Sequence, residues 1–363
     1  MKSKSIACDL PDVLSEIHRT TARWNIPFGP ACDSMELAYR KKLAIHVGNV
    51  AGVALLNADE DGEECACVDL LTNCTEDVIQ TLLDTPAVAA RCYWERNRYH
   101  HSEIAKFLKD AILLLSQDKN STGWTPLGDV FLKKGIAEYI APRIEGIVID
   151  TVSPSRLEGS GAGPWRDFPP ETSDIQIEAK QLISSAIELL DKHCATASEF
   201  VRRELRVVVP RSTDSAGSSS TISYPGRAVL DFPKRGLTVG EVAEALVHES
   251  LHTLLYKLEA FHHWVDDGPA WSQKITSPWS GNKLSLHAYS HACFVWYALA
   301  GLWFQLDGVD ETVLGVQPRF RMWGSVKGFL NDALHHIEQE EALSIAVRQG
   351  CRALQSDIVD WYG

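Results

Sequence analysis

The chain has 363 residues, of which 45% are hydrophobic and 23% are charged, the balance of a soluble globular protein with enough apolar material for a large core. Its formal net charge of -13 argues against binding of nucleic acid or an anionic membrane by the electrostatic field of the whole protein. The longest run of basic residues is only Arg40–Lys42. The first residues lack the apolar segment of a signal peptide, and no stretch approaches the ~18 apolar residues of a membrane span. The nine cysteines follow no metal-binding spacing. We therefore expect a cytoplasmic protein with reduced thiols.

Helix signals dominate residues 1–143, which we expect to form an N-terminal helical region. Thr75 has the form of an N-cap followed by two acids, and Pro86 suits the first position of another helix. The predicted helices run over Pro11 to Arg23, Thr75 to Leu83 and Pro86 to Ser116.

Residues 144–363 are predicted to form a metal-binding catalytic region. The expected strands are Ile144 to Val152, Arg206 to Val209 and Arg227 to Phe232, and the expected loops are Ser153 to Thr172 and Ser212 to Ser220. Further helices are expected over Ser173 to Leu205, after Thr238, over Leu284 to Phe304 and over Val326 to Arg352. The fold class is therefore mainly α, with a small, mostly antiparallel β-sheet beside a metal-binding helix (an α+β fold with a zincin-like active-site helix).

The chemistry is concentrated in the motif H-E-x-x-H at residues 248–252. Thr238 and Glu241 have the spacing of a capping box, so a helix is expected to begin just before the motif. Residues four apart lie on one face of a helix, so His248 and His252 can bind one metal ion. Glu249 lies beside them and is the candidate catalytic residue, able to meet a metal-bound water.

A third metal ligand has to come from elsewhere in the chain. Six residues after His252, where a metzincin has histidine, stands Leu258, and residues 268–305 contain no Asp or Glu. The apolar helix in that span carries His287 and His291, again four residues apart. Either of them can complete a three-histidine site, and direct ligation by Glu249 is also left open. Glu259, His262 and His263 rank behind, because they would reach the ion only through a helix kink.

Three stretches of this region resemble the alpha-ketoglutarate-dependent HExxH-type peptide beta-hydroxylases. They are Ser218–Thr221 with Pro225–Leu230, Leu246–His252, and Ser277-Pro278-Trp279 followed by His291-Ala292-Cys293-Phe294. The similarity covers about Ser173 to Leu306. It implies a non-haem Fe(II) enzyme with alpha-ketoglutarate as co-substrate, which hydroxylates an unactivated beta carbon of an amino acid or peptide. It also matches His248, His252 and His291 to the metal ligands.

The chain departs from this family after Trp279, where the family has arginine and this sequence has Ser280. A keto acid carboxylate needs a fixed cation, best a bidentate arginine. Lys283 and Arg227 are the candidate cofactor-binding residues, followed by Arg319 and Arg321.

The sequence thus predicts an Fe(II)/alpha-ketoglutarate-dependent dioxygenase that uses dioxygen and oxidises an amino-acid or peptide-like substrate. Hydroxylation, desaturation and ring closure remain open. One alternative is a zinc metallopeptidase or other hydrolase, with Zn²⁺ in place of iron and Glu249 as general base. The other is a non-catalytic helical binding protein in which the motif has no metal. We expect no nucleic-acid or membrane partner.

Overall fold

A computed structural model describes residues 9–56, 63–159, 173–265, 274–330 and 341–362. The described helices are α1 (Leu10–Thr21), α2 (Pro30–Leu56), α3 (Glu63–Asn73), α4 (Glu76–Leu83), α5 (Pro86–Ala89), α6 (His101–Leu115), α7 (Ser173–His193), α8 (Ala195–Glu204), α9 (Val239–Glu259), α10 (Leu286–Gln305), α11 (Glu311–Leu314), α12 (Pro318–Val326) and α13 (Ile345–Tyr362). The described strands are β1 (Gly123–Trp124), β2 (Val130–Lys133), β3 (Ile136–Ile140), β4 (Arg143–Ile144), β5 (Ile147–Ile149), β6 (Val207–Thr213), β7 (Gly217–Ser219), β8 (Arg227–Pro233), β9 (Lys274–Thr276) and β10 (Lys283–Ser285). The protein is therefore mainly helical with small sheets, as the sequence predicts.

The chain divides into two compact units. The first unit comprises Met1–Tyr39, Leu182–Val201 and Leu237–Gly363, and the second comprises Arg40–Gln181 and Arg202–Gly236. The predicted division at residues 143 and 144 is not one of these boundaries, and residues 1–39 group with the helices around the HExxH motif. Each unit is assembled from segments far apart in sequence, a grouping that composition along the chain does not reveal.

The core of the first unit is built around α10. Fifteen of the 20 residues of this helix are buried, and α10 packs against α1, α9, α12 and α13. Trp24, which follows α1, is 2% exposed and donates its indole N–H to the carbonyl of Ala298 at 2.8 Å. A helix that is apolar all round belongs in a core, and this one holds His291 in that core.

The second unit contains a five-stranded sheet in the order β4-β5-β6-β8-β7. Its central pairs, β5 with β6 and β6 with β8, are parallel, while β4 and β7 are antiparallel additions at the edges. The three predicted strands correspond to β5, β6 and β8. Both remaining described sheets, β1-β2-β3 and the hairpin β9-β10, are antiparallel. Most described strand pairs are thus antiparallel, as predicted, with a parallel centre in the largest sheet.

Several predicted boundaries were wrong for local reasons. The helix predicted over Pro86 to Ser116 is interrupted, because α5 passes into a π-helical turn and α6 begins anew at His101. The His100 N–H is capped there by the Glu103 carboxylate at 2.7 Å. The helix predicted from Ser173 breaks at Cys194 between α7 and α8. The segment predicted as the loop Ser212 to Ser220 contributes β7 to the sheet.

Two other predicted elements lie partly outside the described residues. The loop Ser153 to Thr172 includes residues 160–172, and the helix Val326 to Arg352 includes residues 331–340. Within the described part, α12 ends at Val326 and α13 begins at Ile345. No described helix has the length and apolar character needed to cross a bilayer.

Candidate metal centre

The HExxH helix begins where the sequence predicts. The Thr238 side chain accepts from the Glu241 N–H at 3.2 Å, and the Glu241 carboxylate accepts from the Thr238 N–H at 2.9 Å, which completes a capping box. From this start α9 continues to Glu259, beyond the motif. At 100° per residue, His248, His252 and Glu259 fall within ~40° of one another around the helix axis. One face of α9 therefore presents two imidazoles and a carboxylate.

The two motif histidines lie close enough to share an ion. Their ring centroids are 5.0 Å apart, and two imidazoles bound to one ion at ~2.1 Å place their centroids roughly 5 Å apart. Nδ1 of His252 is buried and has no hydrogen-bond partner in the described structure. Loss of solvation and the neighbouring histidines hold the pKa of His252 well below its usual value, so the ring is neutral at pH ~7. Neutral imidazole is the form that binds metals.

His291 lies on α10 against this face of α9. Its ring is 5.7 Å from the His252 ring and nearly parallel to it. Only 1% of the residue is exposed, its Nδ1 has no hydrogen-bond partner among the described residues, and its Nε2 lies 3.5 Å from a Glu259 carboxylate oxygen. Burial lowers the pKa of His291, which keeps this ring neutral too. A buried imidazole nitrogen without a partner is costly unless a ligand such as a metal ion satisfies it.

The ligand atoms of the predicted set His248, His252 and His291 do not all lie within 4.8 Å of one another, whereas those of a second set that shares His291 do. The His287 Nε2 lies 2.7 and 2.9 Å from the two Glu259 carboxylate oxygens, and the His291 Nε2 lies 3.5 Å from one of them. Among the described residues, the ligand atoms of Glu259, His287 and His291 all lie within 4.8 Å of one another, so this group could hold a metal ion. Although burial raises the pKa of Glu259, the contacts with His291 and His287 outweigh it and lower that pKa. The carboxylate is therefore ionised.

The two groups of ligands cannot all serve one ion. His248 and Glu259 are eleven residues apart on α9, which separates their Cα atoms by about 16.5 Å at a rise of ~1.5 Å per residue. One ion and two side chains do not span that length. His291 belongs both to the predicted ligand set and to the set with Glu259 and His287. The five side chains therefore lie in the order His248, His252, His291, and then Glu259 with His287, which we call the ligand row.

Glu249 points away from solvent. The residue is 1% exposed, and its Oε1 lies 3.8 Å from the His248 Nε2. Its position beside His248 agrees with the spacing of the motif. Its role as catalytic residue stays a prediction.

The candidate cations are engaged in different ways. In the second unit, Arg227 is buried, donates to the backbone carbonyls of Ser155 and Glu158, and lies 4.0 Å from the Tyr224 ring. Burial lowers the pKa of Arg227 to about 10, so the side chain remains protonated at pH ~7. In the first unit, Lys283 is exposed and donates to the Thr276 hydroxyl at 2.6 Å across the β9–β10 hairpin.

The two further arginines are held by acids of the first unit. Arg319 is exposed and pairs with Asp307 at 2.9 Å. Arg321 donates two hydrogen bonds to Glu244, which precedes His248 by one helical turn and also accepts from the Trp303 indole. Of these two, Arg321 is the cation that contacts α9.

Aromatic side chains surround the histidines. Trp296 meets the His248 ring edge-on at 6.3 Å and stacks on Trp279 at 6.1 Å. Trp264 lies 4.6 Å from the His291 ring, and Tyr256 lies 5.3 Å from it. These rings reduce the access of water to the histidines and lower the local dielectric constant.

Sequence reasoning undervalued Glu259. It was expected to reach an ion held by His248 and His252 only through a helix kink, and α9 is continuous to Glu259, whose carboxylate instead meets His287 on the neighbouring helix. The available signal was its spacing, because eleven residues make about three full turns from His248. The acid that contacts His287 and His291 is the last residue of the motif helix, so it precedes the span 268–305 that contains no Asp or Glu.

Comparison with known proteins gives no family assignment: no protein-family model and no curated protein matches the chain.

Proposed function

We propose that this protein is a non-haem Fe(II)- and alpha-ketoglutarate-dependent oxygenase that hydroxylates an unactivated carbon of an amino-acid or peptide-like substrate. The observation that carries the proposal is the buried His291 ring, whose Nδ1 has no hydrogen-bond partner among the described residues and which lies 5.7 Å from the ring of the second histidine of the HExxH motif. The resemblance in Leu246–His252, Ser277–Trp279 and His291–Phe294 supports iron and the keto acid.

The donor set fits a divalent transition metal. His248, His252 and His291 offer three imidazoles, and neutral nitrogen donors suit Fe(II) as well as Zn²⁺. Two of the three are held neutral by their surroundings, so no proton has to be removed before binding. Three protein ligands leave coordination positions open, which a catalytic metal requires. Bound Fe(II) would supply the dioxygen chemistry that oxidises an unactivated C–H bond.

The surrounding residues would bind the co-substrate and shield the site. Lys283 precedes His287 by four residues and is exposed, so its amine is available to a carboxylate after exchange of its bond to Thr276. Trp296 and Trp279 form an apolar wall beside His248. Arg227 is engaged by two backbone carbonyls of the second unit, so Lys283 is the anchor that we propose.

The test is uncoupled turnover. Metal-free protein is incubated with Fe(II), alpha-ketoglutarate, ascorbate and air, and succinate is measured against a His252→Ala control. We expect succinate from the wild type that requires both Fe(II) and oxygen, and none above background from the variant. Tightly bound zinc in the protein as isolated, together with hydrolysis of an unfolded peptide and no succinate, would instead establish the hydrolase.

A further inference from the structure

The carboxylate of Glu259 contacts both histidines of α10 at the end of the ligand row opposite His248. It accepts from His287 at 2.7 Å and lies 3.5 Å from the His291 Nε2. Glu259 is 7% exposed, and the His287 side chain is 13% exposed. A buried carboxylate needs partners of this kind, because an ionised group without them carries a large desolvation cost.

A histidine that binds a metal through one nitrogen generally donates its other N–H to a carboxylate or carbonyl. That bond selects the tautomer and fixes the orientation of the ring. In His291, Nε2 is the nitrogen near Glu259, which leaves Nδ1 as the nitrogen for an ion. The separation of 3.5 Å lies at the outer limit of a hydrogen bond.

His287 fixes the carboxylate in turn. Its Nε2 lies almost equally far from the two oxygens, at 2.7 and 2.9 Å. A single N–H therefore contacts both oxygens and fixes the orientation of the carboxylate beside α10. Because His287 and His291 are four residues apart on the same helix, the carboxylate that bonds to one comes within reach of the other.

We propose that Glu259, held by His287, is a positioning residue that orients His291 so that its Nδ1 binds the metal. This inference rests on the proposed metal centre and assigns roles to two residues outside the ligand set His248, His252 and His291. The competing arrangement is direct ligation, in which Glu259, His287 and His291 themselves bind the ion.

The experiment is an anaerobic titration of the metal-free, full-length protein with Co(II), read by its visible d–d absorption. We expect Glu259→Ala to weaken Co(II) binding by about 10–100-fold while the stoichiometry and band positions persist. Glu259→Gln retains a hydrogen-bond acceptor and should recover much of the loss. His287→Gln keeps a donor and should bind more tightly than His287→Ala.

The matched control is Glu244→Gln, which alters another buried carboxylate of α9 whose partners are Arg321 and Trp303. It should leave the Co(II) affinity and band positions unchanged. Circular dichroism of every variant identifies any that fails to fold, in which case Glu259→Gln and His287→Gln decide the outcome.

Three results separate the two proposals. Loss of binding in His252→Ala with unchanged affinity in Glu259→Ala and Glu259→Gln overturns the positioning role and leaves the metal centre standing. Loss of binding in Glu259→Gln and His287→Gln with retention in His248→Ala shows direct ligation and overturns both the positioning role and the predicted ligand set. Absence of Co(II) binding by the wild type overturns the metal centre itself.

Discussion

Replacing Gly301 by alanine tests how closely α1 packs on the helix that carries His291. A Cβ atom at position 301 would lie 2.2 Å from the carbonyl oxygen of Thr21 and 2.7 Å from that of Ala22. Both atoms belong to the backbone at the end of α1, so they cannot rotate away as a side chain would. The nearby hydrogen bond from Trp24 to Ala298 spans the same contact.

The expected change in the free energy of unfolding follows from three opposing contributions. Alanine in a helix interior is favoured over glycine by ~0.5–1 kcal/mol. Overpacking a well-packed contact costs about 1–3 kcal/mol, and weakening the Trp24 hydrogen bond costs about 1 kcal/mol more. We therefore expect Gly301→Ala to destabilise the protein by roughly 1–3 kcal/mol.

Gly324→Ala is the matched control, because Gly324 lies in helix α12 and no described atom comes within 4 Å of its added Cβ. This variant should gain about 0.5–1 kcal/mol. Urea unfolding followed by tryptophan fluorescence measures both changes. A shift in the same direction for the two variants would refute the close packing of α1 against α10.

The remaining predictions concern a buried cap and two functional candidates. Glu16 accepts from three backbone N–H groups at the start of α2, and although burial raises its pKa, these bonds outweigh it and lower the pKa. Its stabilisation is therefore present above the ordinary carboxyl pKa and lost as the pH falls below that value. Glu16→Gln should cost about 1–3 kcal/mol near pH ~7 and less near pH ~3, as urea midpoints at the two pH values will show; an equal cost at both contradicts this. Lys283→Met should raise the alpha-ketoglutarate concentration for half-maximal succinate formation without changing Co(II) affinity, and an unchanged concentration removes Lys283 as the anchor. Glu249→Gln should keep Co(II) binding and succinate formation, whereas a hydrolase would lose its activity.

Local signals predicted much of this molecule. The capping box of Thr238 and Glu241 placed the start of α9, and a short apolar run between turn residues placed β8. Spacing of four residues put each histidine pair on one helix face. These features depend on residues within one or two turns of each other, which is the range over which a sequence pattern determines structure.

The features that the sequence patterns did not predict depend on contacts between segments far apart in the chain. The amphipathic pattern is the same before and after Cys194, so periodicity predicts one helix where the structure has α7 and α8. The grouping of residues 1–39 with the HExxH helix arises from core packing around α10. The pairing of Glu259 with His287 requires the end of one helix to meet the start of another, which chain spacing alone does not specify.

We propose above that His248, His252 and His291 form an iron centre that binds alpha-ketoglutarate. The most direct test of this centre is the visible spectrum of the metal-free protein after anaerobic addition of Fe(II) and alpha-ketoglutarate, with His252→Ala as control. We expect a weak charge-transfer band that needs both additions, disappears on exposure to air and is absent from the variant. No band from the wild type, with zinc bound tightly in the protein as isolated, would contradict the iron centre.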